Sequence, residues 1–205
     1  MQREVFRISN RAKHAVEVPL ETAKELFGIL NMDAVFNAAK HDNDNDKDAV
    51  EEDQASHSSA ENAADTEPLK AEDLEYSDKV LDVVCHYAML PRSDRTESIP
   101  RPLTQDLKRV VTAEEMELVT TAEKNDYLVD LLNCAMFLRF QQLTALCAAY
   151  MAMRIEEISK AAPDIMTGAQ RIRDFMHMEN EWTEEEMVHL KAEMDYAKSV
   201  DPNVY

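Results

Sequence analysis

The chain has 205 residues, 45% of them hydrophobic, which is enough for one folded domain with an appended helical module. Its 41 acidic and 22 basic residues leave a formal net charge of −19, a field that repels both nucleic acid and an anionic membrane surface. With only Gly28 and Gly168 available, neither a phosphate-binding loop nor a dinucleotide fingerprint can be built, and turns fall to Asn, Asp and Pro.

Val5-Phe6-Arg7-Ile8 and His14-Ala15-Val16-Glu17-Val18 alternate apolar and polar residues around Asn10 to Lys13, which predicts a hairpin closed by Pro19. Ala23, Leu26, Phe27, Leu30, Ala34 and Val35 then recur at roughly helical spacing, predicting a helix over 21–39 with its weak point at Asn31 to Asp33. From His41 to Pro68 no hydrophobic period exists, and the segment is expected to be a disordered acidic insert. Asp42, Asp44, Asp46 and Asp48 repeat the alternate-oxygen spacing of a calcium loop. Lys47, however, stands where a glycine should make the turn, and Asp53 where a bidentate Glu should close the site, so no metal is expected.

A brief strand is expected near Leu69, and Val80, Leu81, Val83, Val84, Tyr87 and Ala88 predict a buried helix within 76–90. Pro91, Pro100 and Pro102 bound a second loop, after which Thr112-x-x-Glu115 gives the capping-box pattern for a short helix ending before Asp126. Leu128, Leu131, Leu132, Ala135 and Leu138 predict one helix. Leu143, Leu146, Cys147, Tyr150, Met151, Ile155 and Ile158 predict the next, and together these two are expected to be the hub of the core.

The three cysteines, Cys85, Cys134 and Cys147, are far apart and embedded in apolar helical patterns, so they read as core thiols in a reduced intracellular compartment. Met1-Gln2-Arg3-Glu4 begins a strand pattern rather than a signal peptide, and no apolar run is long enough to span a bilayer. The six histidines share no metal-ligand spacing, and no serine has a Gly-x-Ser-x-Gly context. No enzyme, catalytic residue or cofactor is therefore expected.

Past Pro163, helices are expected over 165–175 and 183–198 with an Asn-containing corner between them. Thr183 and Glu186 repeat the capping box, and Trp182 before the cap can staple to Met187. Beyond that cap, Met187, Leu190, Met194 and Ala197 form one apolar stripe on an otherwise charged rod, which points to protein binding.

In this stretch Ile172-Arg173, Asn180, Trp182 and Thr183-Glu184-Glu185-Glu186 resemble the segment leading into the last helix of the Skp adaptors. That family links F-box substrate receptors to a cullin in SCF-type ubiquitin ligases. Tyr196 falls where the family usually places a tryptophan. The likeness continues through Leu131-Leu132, Ala135-Met136-Phe137-Leu138, the hairpin, the first helix and an acidic loop. It covers nearly the whole chain and is specific in the last third.

The resemblance implies an α/β fold: a BTB/POZ-type domain over 1–160, with the acidic insert at about 41–68, and a helical F-box-binding extension over 161–205. It assigns F-box binding to Tyr150, Arg154, Ile172, Met176, Met178, Asn180, Trp182, Met187, Leu190, Met194 and Tyr196. It also implies a place in ubiquitin-dependent degradation in cytoplasm and nucleus, with F-box proteins and a cullin as partners and no nucleic acid or membrane. Cullin binding would fall on Met136, Phe137 and Arg139. There the family usually has Asn-Tyr followed by Leu-Asp, so Phe137 keeps a ring without its hydroxyl and Arg139 reverses a charge. The Pro-Val-Trp-Asp motif of the family is absent around Arg101-Pro102-Leu103-Thr104. These departures leave a second expectation open, a non-ligase assembly protein of the same fold, for example in a kinetochore or cell-division complex.

Overall fold

The computed structural model describes residues 4–30 and 70–201, and within them the chain is mixed α/β, with a three-stranded sheet and seven α-helices. The acidic insert expected over 41–68 and the distal part of the expected first helix lie outside the described residues. The chain divides into two compact units, Met1–Cys147 and Ala148–Tyr205.

The first unit begins with the hairpin. β1 (Val5–Asn10) and β2 (Ala15–Pro19) are antiparallel, with Phe6 opposite Val18 and Ile8 opposite Val16, and this period-two set is buried. Asn10 builds the corner: its amide nitrogen donates to the Tyr76 carbonyl (3.1 Å) and to Asp78 Oδ1 (2.6 Å), while its oxygen accepts the His14 N–H (2.9 Å). β3 (Lys70–Leu74) adds to the other side of β1 in parallel, giving the order β2-β1-β3.

α1 spans only Leu20–Leu26, so the expectation of a helix running to residue 39 fails at its seventh residue. Phe27 leaves the helix with extended backbone and forms an isolated antiparallel bridge with Phe140. Gly28 then passes so close to Arg139 that an added Cβ would sit 3.0 Å from the Arg139 Cβ and 3.3 Å from its carbonyl oxygen. The helical period of the sequence is therefore overridden by a tertiary strand contact that only glycine admits.

α2 (Asp78–Met89) lies against both hairpin strands and touches α1 and α4 (Leu128–Phe137). Its inner face, Val80, Leu81, Val84, Tyr87 and Ala88, is buried, so the hub is α2 rather than the pair of later helices that the sequence pattern favours. Ring contacts run from Phe6 to Phe27 (5.8 Å), Phe27 to Phe140 (5.2 Å) and Phe140 to Tyr87 (5.4 Å), joining sheet, helix and the turn after α4. α3 (Ala113–Lys124) starts at Thr112 with the expected capping box. It packs on α4, which closes the far side of the core with Leu128, Leu131, Cys134 and Ala135.

α5 (Gln141–Ala161) carries the boundary between the units. It is buried at Leu143, Leu146, Cys147, Tyr150 and Met151, but Ile155 and Ile158, expected as core, are only half-buried. The second unit continues with α6 (Ile165–Met176) and α7 (Glu184–Val200).

Candidate functional site: an open helical face

The second unit is set by two side-chain caps. Asp164 accepts from the Thr167 backbone N–H (2.9 Å) and hydroxyl (2.8 Å), which starts α6 directly after Pro163 and holds the Asp164 carboxyl below its ordinary range. Gly168 is buried one turn on, where an added Cβ would come within 3.2 Å of the Ala162 Cβ, so the start of α6 passes close to the residue that follows α5. The expected Asn-containing corner is opened by a different residue. His177 takes the left-handed conformation (φ 55°) that ends α6, and Met178 N–H returns to the Arg173 carbonyl (2.9 Å).

Asn180 has a second task, accepting the Trp182 N–H through its side chain (3.3 Å) and so fixing the residue before the next cap. At Thr183 the capping box is complete. Glu186 N–H donates to Thr183 Oγ1 (3.3 Å), and Thr183 N–H donates to the Glu186 carboxylate (2.9 Å). That N–H, together with the Thr183 hydroxyl, holds the Glu186 carboxyl below its ordinary range.

On α7 the four residues of the expected stripe, Met187, Leu190, Met194 and Ala197, are the only half-buried positions, and no residue of this helix is fully buried. Met187 and Met194 line an open groove of about 520 Å³ with Met166 and Thr167 of α6, Val188, and a rim of Asp164, Lys191, Asp195 and Lys198. A second recess of about 400 Å³ runs along α6, past Ile165, Gly168 and Ile172.

Met178 (60% exposed), Trp182 (46%) and Tyr196 (72%) stand in solvent outside the groove. The staple partner Met187 is half-buried while Trp182 remains open. Ile172 and Met176 are half-buried on α6, Asn180 is exposed in the corner, and Arg154 is half-buried on α5 with an ion pair to Glu157. Tyr150 is interior at 3% exposed and presents nothing to a partner in this structure. The sequence reading missed Ile165, Val188 and Val200, which are exposed apolar side chains of the same two helices. Val188 and Val200 are off the stripe of α7, so periodicity gives no signal for them, whereas Ile165 shares a face of α6 with Gly168 and Ile172 and is within reach of the pattern.

In the first unit, Met136 and Phe137 are exposed at the end of α4 while Leu138 between them and the turn is buried. Arg139 is exposed with φ 54°, and Gly28 N–H donates to its carbonyl (3.3 Å), so this corner is fixed in place by the Phe27 bridge.

Burial pushes the thiols of Cys134 and Cys147 up to about 12, which removes them as nucleophiles at neutral pH. Among the described residues no group of three or more His, Cys, Asp or Glu could hold a metal ion, and no helix is long and apolar enough to cross a membrane. The chain matches no protein-family model and no curated protein.

Proposed function

We propose that this protein is a Skp-like adaptor of BTB/POZ-type fold that binds F-box proteins through α6, α7 and the corner between them, and links them to a cullin in an SCF-type ubiquitin ligase. The observation that carries this reading is the half-covered methionine face of α7 beside an open groove, with Met178, Trp182 and Tyr196 exposed around it. An apolar face of this kind gains about 25 cal/mol per Å² on being covered, before ordering costs are subtracted. F-box units are small and helical, and two facing helices with a groove between them suit a helix-in-groove mode. The test is co-purification with F-box proteins. Replacing Trp182 and Tyr196 together with Asp should abolish it while the circular dichroism of the chain is kept; unchanged binding to every F-box partner would remove this reading.

A second reading is an assembly protein that keeps the F-box grip without joining a ligase, and Arg139 favours it. An exposed cation at the corner that would face the cullin rejects a partner built for an acidic residue there. Affinity purification with mass spectrometry separates the two, because only the ligase adaptor recovers a cullin and a RING subunit.

A further inference from the structure

A groove in the Met1–Cys147 unit, apart from the surfaces described above, lies between α2 and α3. Its volume is about 370 Å³, and its floor is apolar, made by Val83, Leu118 and the buried ring of Tyr127. Carboxylates stand on both walls, Asp82 on α2, which also pairs with His14 through one oxygen (2.8 Å), and Glu114 with Glu117 on α3, all exposed, and neither Lys nor Arg lines it. The walls are fixed rather than adaptable: Tyr87 and Glu115, the next residues along from His86 and Glu114, are joined by a 2.7 Å hydrogen bond beneath the groove. His86 and Glu114 approach to 3.5 Å above it.

We propose that this groove takes an amphipathic helix of a partner protein that carries Lys or Arg on both sides of one apolar anchor residue. An apolar floor asks for an apolar side chain, and carboxylates on both walls ask for cations flanking it at helical spacing. The net charge of −19 steers such a partner in. It also argues against the other occupants. A second copy of this chain would bring its own carboxylates against these, and nucleic acid or an anionic bilayer would be repelled. The apolar floor gives a hydrated divalent cation nothing to bind. The inference is independent of the F-box reading, since none of these residues belongs to the second unit.

The probe is a synthetic Leu–Lys amphipathic helix of about 18 residues, long enough to fold on binding, titrated into the full-length methyl-labelled protein beside a Leu–Glu counterpart. The Leu–Lys peptide should shift the methyl signals of Val83 and Leu118, and the Leu–Glu peptide should not. Glu114→Gln with Glu117→Gln should weaken binding about tenfold, while Glu21→Gln with Glu25→Gln, an equal change of charge outside the groove, should leave it within about twofold. Leu118→Gln should weaken it at least as much, and a thermal melt checks its fold. If that variant does not fold, the two glutamate pairs decide alone. Shifts spread over the acidic surface, or equal losses from the two glutamate pairs, would reduce the effect to diffuse charge attraction and overturn the proposal.

Discussion

Tyr87 on α2 donates its hydroxyl to Glu115 Oε1 on α3 across 2.7 Å, and both side chains are fully buried. Glu115 is also the acceptor for the Thr96 N–H (2.8 Å), the Thr96 hydroxyl (2.5 Å) and the Thr112 N–H (3.0 Å). One carboxylate thus ties together α2, α3 and the loop between them. Burial alone would raise its pKa, but the donors from Thr96, Thr112 and Tyr87 outweigh burial and hold it below its ordinary value.

Removing that acceptor strands donors in a dry interior. Glu115→Ala is expected to cost about 3–5 kcal/mol of unfolding free energy, because Tyr87, Thr96 and Thr112 all lose a charged partner. Tyr87→Phe removes a single donor and is expected to cost about 1–3 kcal/mol. Urea melts of the three proteins check both, and a Glu115→Ala variant as stable as the parent would contradict the clamp.

The same carboxylate sets an acid limit. Its folded pKa lies below the ordinary 4.5, so its contribution is present above that value and is lost as pH falls through the folded pKa. Stability should therefore decline as the medium is acidified below about 4.5, and Glu115→Gln should flatten that slope. His14 behaves oppositely. Its hydrogen bond to Asp82 (2.8 Å) outweighs its slight burial, and the nearby charges of Asp82 and Asp78 add to the upward shift. Its contribution is present below 6.5 and fades as pH rises through the folded value. An NMR titration should find the His14 pKa above 6.5 and returning toward it in Asp82→Asn.

Gly28→Ala should be destabilising even though Gly28 needs no special φ. The new methyl group would meet the backbone of Arg139 at 3.3 Å and its Cβ at 3.0 Å, where the Phe27–Phe140 bridge leaves no slack. A loss of about 1–3 kcal/mol is expected, as for other overpacked sites. A thermal melt of the variant measures it, and a gain in stability would mean that the bridge yields.

Thr183→Ala removes the side-chain half of the α7 capping box, leaving its backbone N–H on Glu186, and should cost about 1 kcal/mol, felt locally. Because no residue of α7 is fully buried, its amides should exchange quickly in the isolated protein, faster still in Thr183→Ala, and slowly once an F-box partner is bound. Hydrogen exchange resolved along 184–200 reads this directly. Equal protection with and without partner would count against docking there.

Much of the architecture is readable in the amino acids because it rests on local chemistry. The alternation in Val5–Ile8 and His14–Val18, the Thr112/Glu115 and Thr183/Glu186 boxes and the stripe from Met187 to Ala197 all appear where their periods and caps place them. What escapes is decided by distant partners. The helix begun at Leu20 stops at Leu26 because Phe27 pairs with Phe140, more than a hundred residues away. Glu115 reads only as a cap residue, since nothing near it in the sequence announces Tyr87 or Thr96. Among the candidate binding residues, Trp182 is legible from its place beside a cap and Met178 comes only with the family resemblance, while the interior position of Tyr150 follows from the apolar period of α5 and conflicts with the role that the resemblance gives it.

The groove on α7 is floored by thioethers, Met166, Met187 and Met194, where leucines would pack as well. A thioether is the apolar side chain that peroxide converts into a polar, chiral sulfoxide, and reductase enzymes reverse the change. The stickiness of this face is therefore a chemical variable as well as a structural one. Oxidation of these thioethers would make the lining of the groove more polar without touching the backbone, and repair would restore it.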